Sequence, residues 1–305
     1  MQLQRIVIAT DFSGPATDAA EWVARHFAPD AELTLVHVLD PGDTRRPSAD
    51  PALTGITLEG EWDRASRRLQ ELAVAFGASR CTVDVRIGRA ADEIVRASQA
   101  CRADMVVVGK HARRSGLLGI LGSTAEALVH RSPVPVLLVV APVHAAPRRL
   151  LVAVNDSHVT PWVVQWAQLL AERFDAEATA IHVVGAAVFT SVLAEGAVGE
   201  EPRAKVPEET ISENSRGADD WLARLCGHDA LRHPLSAEVV FGDPAEEIVR
   251  AAERMQADMV VMGSRGMGKL GSAILGSVAG GVLRHAPCPV LVVKEPVDEV
   301  VHVVG

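Results

Sequence analysis

The sequence predicts two consecutive α/β domains, each a doubly wound parallel sheet with helices on both faces. Three observations predict it. The chain is written twice: GRAADEIVRASQACRADMVVVG from Gly88 returns as GDPAEEIVRAAERMQADMVVMG from Gly242, an offset of 154 that persists from Pro133 to Pro287. Short β-branched runs alternate with segments whose apolar residues recur at helical spacing. The strand runs are apolar without alternation, as a parallel sheet buried on both faces requires.

Each element of the first copy has a local reason. Ile6 to Ala9 is the first strand, and Pro15 falls in a first helical turn, where its missing N–H costs nothing. Ala19, Trp22, Val23 and Phe27 then recur along one helix face. Leu33 to Leu39 is the second strand, and 41–60, rich in Pro, Asp and Thr, reads as loop. Trp62, Ala65, Leu69, Leu72 and Phe76 mark a second helix. Cys81 to Ile87 is strand three, Ala90 to Cys101 a helix, and Met105 to Val108 strand four. Ser123 to Arg131 is the last helix and Val134 to Val140 strand five.

From Arg149 the order repeats. Asp11 falls opposite Asn155 (offset 144) and His37 opposite His182 (offset 145), so the second copy holds about ten extra residues before its third strand. Asp243-Pro244-Ala245-Glu246 has the pattern of a capping box, with Asp at the N-cap, Pro first and Glu three on. Met259 to Met262 is the strand before the glycine loop. Val278, Val282 and Leu283 mark a helix ended by Pro287, and Val290 to Val293 the closing strand. The expected domains are 1–143 and 148–296, joined near Pro142 to Arg149.

Composition narrows the function. The 305 residues are 48% apolar and 23% charged, enough for two ordinary cores, and the net charge of −9 argues against a nucleic-acid binder working through a basic face. No run reaches the ~18 apolar residues of a membrane helix. MQLQRIVIATDFS enters a strand without an apolar leader, so the expected location is the cytoplasm. The four cysteines, Cys81, Cys101, Cys226 and Cys288, show no metal spacing and read as small buried hydrophobes.

The stretch ADMVVMGSRGMGKLGSAILGSVAGGVLRHAPCPVLVV carries the chemistry. A strand feeding a glycine loop and then a helix N-terminus suits phosphate, because glycine lets backbone N–H groups approach an anion and the first helical turn offers unpaired donors. Gly266-Met-Gly268-Lys-Leu-Gly271 satisfies the dinucleotide fingerprint but follows the fourth strand, and no acid stands about twenty residues on. Gly263 to Lys269 satisfies most of a Walker A loop, yet Leu270 occupies the place of the magnesium-binding hydroxyl.

The third template fits without repair. Gly263-Ser-Arg-Gly266, nine residues, then Gly276-Ser277 resembles the ATP-binding loop of the universal stress protein family, and the repeat around it is similar to that family along nearly its whole length. The resemblance implies a tandem universal stress protein, with five parallel strands per domain in the order 3-2-1-4-5. ATP, with or without magnesium, would lie between the ends of strands one and four, the switch point where such sheets bind ligands.

For the second domain the resemblance implies ATP contacts from Ala153, Val154, Asn155, Val183, Gly263, Arg265, Gly266, Gly276, Ser277 and Val278. Asn155 departs from the aspartate usual in the family's ATP binders, keeping an acceptor and adding donors. For the first domain it implies a weaker site at Asp11, Val38, Gly109, Ala112, Gly122 and Ser123. Ala112 there replaces the second glycine, with Lys110, His111, Arg113 and Arg114 nearby as phosphate clamps or as a solvated basic loop. In the family the final strands of two domains pair edge to edge. A tandem chain would make that pairing internally, with a homodimer as the further assembly.

The remaining candidates read as structural. His37 and His182 end equivalent strands without an acid or nucleophile beside them, and read as satisfied strand-end histidines. Glu93, Glu126, Glu246 and Glu247 sit in first turns or on helix faces, where acids favour the dipole. No catalytic residue and no metal ligand set stands out. The expected function is a cytoplasmic stress-response protein that binds ATP, chiefly in its second domain, as a sensor or adaptor with unidentified protein partners. At most slow ATP hydrolysis is expected, and neither nucleic acid nor membrane is an expected partner. The alternative is an interaction scaffold without nucleotide, which Asn155 and Ala112 favour, working through paired domains and the loops 41–60 and 184–210. A nucleotide enzyme would need an acidic metal pair near Gly263 that the sequence lacks.

Overall fold

A computed structural model describes residues 3–40, 58–77, 80–110, 121–140, 142–185, 217, 220–222, 224–225, 235–264 and 275–295. The chain forms two compact units, mainly Gln2–Ala146 and Pro147–Val290.

The first unit contains β1 (Arg5–Ala9), α1 (Gly14–Trp22), β2 (Glu32–Leu39), α2 (Leu58–Ala75), β3 (Cys81–Ile87), α3 (Ala90–Ala100), β4 (Met105–Lys110), α4 (Ser123–Arg131) and β5 (Val136–Val140). The strands are parallel, in the order β3-β2-β1-β4-β5. Direction reverses at β1. Right-handed crossovers therefore put α1 and α2 on one face and α3 and α4 on the other. Accordingly α3 packs on α4, α1 along β4 and α2 along β3. Ile6, Val7 and Ile8, Met105 to Val108 and Val136 to Val139 are all buried, which explains the absence of alternation.

The second copy of the repeat follows the same plan with β6 (Arg149–Val154), α5 (Thr160–Phe174), β7 (Glu177–Gly185), β8 (Leu235–Gly242), α6 (Pro244–Arg254), β9 (Met259–Gly263), α7 (Ser277–His285) and β10 (Val290–Val293). Its order, β10-β9-β6-β7-β8, is again 5-4-1-2-3. Both copies therefore have the predicted doubly wound sheet.

Several boundaries differ from the sequence reading. β4 runs through Gly109 to Lys110, because both pair with β5 (Gly109↔Val139, Lys110↔Val140). β5 begins at Val136, after Pro135, which has no N–H to give the ladder but whose carbonyl accepts from Val106 (3.0 Å). α1 ends in a π-turn, Val23–Phe27, which keeps Val23 and Phe27 buried. α2 begins at Leu58, inside the stretch read as loop, and the rest of 41–60 lies outside the described residues, as does most of 184–210.

At α6 the N-cap is as read, with Asp243 accepting from the N–H groups of Ala245 and Glu246 (3.0 Å each). Glu246 does not complete the box; its carboxylate pairs with Arg250 one turn on (3.0 Å). Among the cysteines Cys288 is buried, whereas Cys81 and Cys101 are half-buried. Cys226 lies outside the described residues.

Candidate functional site

In each unit the first and fourth strands end side by side. β6 pairs with β7 through Val154↔His182 and with β9 through Ala153↔Met262. One step further along this register lie Asn155, Val183 and Gly263. Ala153, Asn155, Val183 and Gly263 are half-buried, while Val154 is buried. The N–H of Gly276 donates to the Ser264 carbonyl (3.3 Å), so the loop after β9 begins and ends at one point. That brings Gly276, Ser277 and Val278 to the strand ends, and these four-fifths of the second-domain set converge on the C-terminal edge of the sheet. Arg265 and Gly266 lie outside the described residues.

Among the described helix starts, α3, α4, α5 and α7 have no side-chain cap. α1 and α6 are capped by the side chains of Ser13 and Asp243. α4 and α7 begin at Gly122 and Gly276, which have no side chain to cap with. Among the described residues no side chain caps the first-turn N–H groups of α4 and α7, which is the arrangement an anion fits. Neither glycine is needed for backbone freedom, since φ is −60° at Gly122 and −58° at Gly276. Nothing lies within 4 Å of where a Cβ on Gly122 would sit.

Gly109 differs. A Cβ there would stand 2.6 Å from the Pro15 carbonyl oxygen and 2.7 Å from the Ala16 Cα, so packing of α1 on β4 by itself demands glycine. In the first unit Asp11 and Val38 follow the paired Ala9↔Val36 along the same register, next to Gly109. Gly122 and Ser123 start α4 and are exposed. Ala112, His111, Arg113 and Arg114 lie outside the described residues. Burial of Lys110 lowers its pKa to about 8.

The two histidines prove to be braces. His37 Nδ1 lies 2.8 Å from the Thr10 carbonyl and His182 Nδ1 3.0 Å from the Val154 carbonyl. A carbonyl only accepts, so Nδ1 carries the proton in both rings and each histidine ties the end of the first strand to the second.

The turns that follow are built differently. In the first unit Phe12 has φ +62° and its ring lies against His37 (centroids 4.4 Å). The Arg68 guanidinium sits 4.5 Å above Phe12 and donates to its carbonyl (3.3 Å), while Asp11 Oδ1 accepts from Ser13 N–H (2.9 Å). In the second unit Asn155 Oδ1 accepts from Ser157 Oγ (2.7 Å), Thr160 Oγ1 donates to the Asn155 carbonyl, and Trp221 covers His182 (5.1 Å). Sequence reasoning missed Ser264, Thr160, Arg68 and Trp221. They stand at motif wild-card positions or on other elements, and spacing carries no signal for them.

The model of the universal stress protein family matches the chain twice, over residues 2–140 and 147–294.

The chain belongs to the universal stress protein family.

A universal stress protein of Mycobacterium bovis is 28% identical over 303 residues, covering 95% of this chain and 97% of that protein. One from Methanocaldococcus jannaschii is 34% identical over 154 residues, 50% of this chain and 85% of that protein. Among solved structures, a universal stress protein from Archaeoglobus fulgidus superposes with a TM-score of 0.66 at 21% identity, covering 96% of this chain and 99% of that one, which supports the fold. Among the described residues no helix is long and apolar enough to cross a membrane, and no group of three His, Cys, Asp or Glu gathers as a metal site.

Proposed function

We propose that this universal stress protein binds ATP at the C-terminal edge of the second unit's sheet and acts in the stress response as a cytoplasmic sensor or adaptor rather than an efficient enzyme. The observation that carries this reading is the uncapped start of α7, brought beside the ends of β6 and β9 by the Gly276–Ser264 hydrogen bond. Backbone donors of the first α7 turn would take the phosphates, a role backed by the helix dipole. Ala153, Val154, Asn155 and Val183 would line the base and ribose. When magnesium accompanies the nucleotide it supplies charge neutralisation on the phosphates. Asn155 already receives a hydroxyl proton on its side-chain oxygen, so it meets the ligand chiefly as an amide donor. The first unit is the weaker site, its loop carrying Ala112 in place of glycine.

Gly276→Asp tests this with little risk to the fold. Gly276 has the extended backbone of an N-cap, and aspartate is a preferred N-cap residue, so α7 should be kept or strengthened. The new carboxylate would occupy the donors and repel phosphate. Calorimetry should show ATP binding to the parent chain lost in Gly276→Asp and kept in Gly122→Asp. Loss in Gly122→Asp alone would move the site to the first unit, and undiminished binding in Gly276→Asp would refute the reading.

A further inference from the structure

The two copies end their first strand on different chemistry. Asp11 corresponds to Asn155, Ser13 to Ser157 and Ala16 to Thr160, all at the offset of 144. In the first unit Asp11 Oδ1 accepts from the Ser13 N–H (2.9 Å), and the Ser13 hydroxyl caps α1. An ionised carboxylate offers acceptors only. In the second unit the Ser157 hydroxyl does not cap α5. It donates instead to Asn155 Oδ1 (2.7 Å). Thr160 Oγ1 lies 3.4 Å from the same oxygen and donates to the Asn155 carbonyl. Thr160 is buried, so that side of the amide is held in place. The other side is Nδ2, a donor that no group among the described residues accepts from and that is not enclosed.

This donor is placed to choose a base. Of Ala153, Val154, Asn155 and Val183, which would line the base and ribose, only Asn155 carries a polar side chain. Ligand sites fix orientation and specificity through a few polar groups set in an apolar lining. An asparagine that reads adenine uses both ends of its amide, Oδ1 accepting from the N6 amino group and Nδ2 donating to N7. With Oδ1 turned to Ser157, only the donor is left, and against the N6 amino group it sets one N–H against another. A purine with an oxo group at position 6 presents acceptors at both O6 and N7, which an amide donor satisfies.

We propose, resting on the nucleotide site given above, that Asn155 makes the second unit prefer a 6-oxopurine nucleotide to an adenine nucleotide, with ATP still held through its phosphates and ribose. Ser157 and Thr160 are positioning residues in this account: they fix the amide with its donor toward the ligand.

The test is calorimetry on the full chain with ITP and ATP, which share ribose and phosphates and differ at position 6 and in the N1 proton that goes with it. ITP should bind the parent more tightly than ATP, by about threefold or more. Asn155→Asp keeps the side-chain shape and an acceptor for the Ser157 hydroxyl, and gives the second unit the first unit's residue. It should move the ratio toward ATP by about tenfold or more, the scale of one matched hydrogen-bond pair. Ser157→Ala releases Oδ1 to accept from N6 and should move the ratio the same way; it carries the test if thermal melting shows that Asn155→Asp is misfolded. Absence of an ITP advantage in the parent, or a ratio unmoved in a folded variant, would overturn the proposal even where Gly276→Asp abolishes binding of both nucleotides. Binding of neither nucleotide, or binding that Gly276→Asp leaves intact, would overturn the site reading and this preference together.

Discussion

Gly109→Ala is the sharpest test of how the first unit builds its strand-four edge. The added Cβ would lie 2.6 Å from the Pro15 oxygen, 2.7 Å from the Ala16 Cα and 2.8 Å from the Ala16 nitrogen. Ordinary contact begins near 3.4 Å, so the shortfall is 0.6 to 0.8 Å, and every clashing atom is backbone. No rotamer change relieves it. Either β4 moves within a sheet where it pairs on both sides, or the first turn of α1 lifts away from it. Overpacking of this kind costs about 1–3 kcal/mol. For a unit of this size that corresponds to a fall in Tm of roughly 3–10 °C. Gly14→Ala is the matched control, since nothing lies within 4 Å of its Cβ position and Gly14 opens the same helix. It should be neutral or stabilise by up to about 1 kcal/mol. Urea and thermal unfolding of both variants would read the difference. Gly109→Ala at parent stability would refute the close approach of α1 to β4.

Three further outcomes follow from named groups. Asp243→Ala removes the acceptor of two α6 N–H groups and should cost about 1 kcal/mol in urea unfolding, whereas Glu246→Gln, at an exposed pair, should stay within about 0.5 kcal/mol. Lys110 has a folded pKa lowered by burial to about 8 from 10.5, so between these values the unfolded chain binds more protons. Stability relative to Lys110→Met should therefore rise as pH goes from about 8 to 10.5 and stay level below 8; a fall over that range would contradict the burial of the amine. Burial pushes the Cys288 thiol up to about 12, and native protein at pH 8 should leave it unlabelled by a thiol reagent that modifies it after unfolding.

The fold was legible because both of its signals are long-range in the sequence. The repeat offset, and central strands that run apolar without alternation, point to buried parallel sheets whatever the details of each turn. Boundaries were less legible where tertiary pairing decides them. Gly109 and Lys110 look like the start of a loop until β5 is there to pair with them. Glu246 has the spacing of a capping box, but Arg250 one turn along competes for its carboxylate and wins. Of the candidate site, the glycines and Asn155 were readable because motif spacing names them. The braces at His37 and His182 were half readable: their equivalence shows in the repeat, but the carbonyls they hold do not. Ser264 and Trp221 were not readable, since a carbonyl acceptor and a covering ring leave no trace in spacing.

The central claim is that two copies of one fold carry unequal nucleotide sites, with the second as the ATP site. Calorimetric stoichiometry of ATP on the full chain, with magnesium present, tests it most directly. The account predicts about one ATP per chain, with binding lost in Gly276→Asp. Two equivalents of matched affinity, or none, would contradict it.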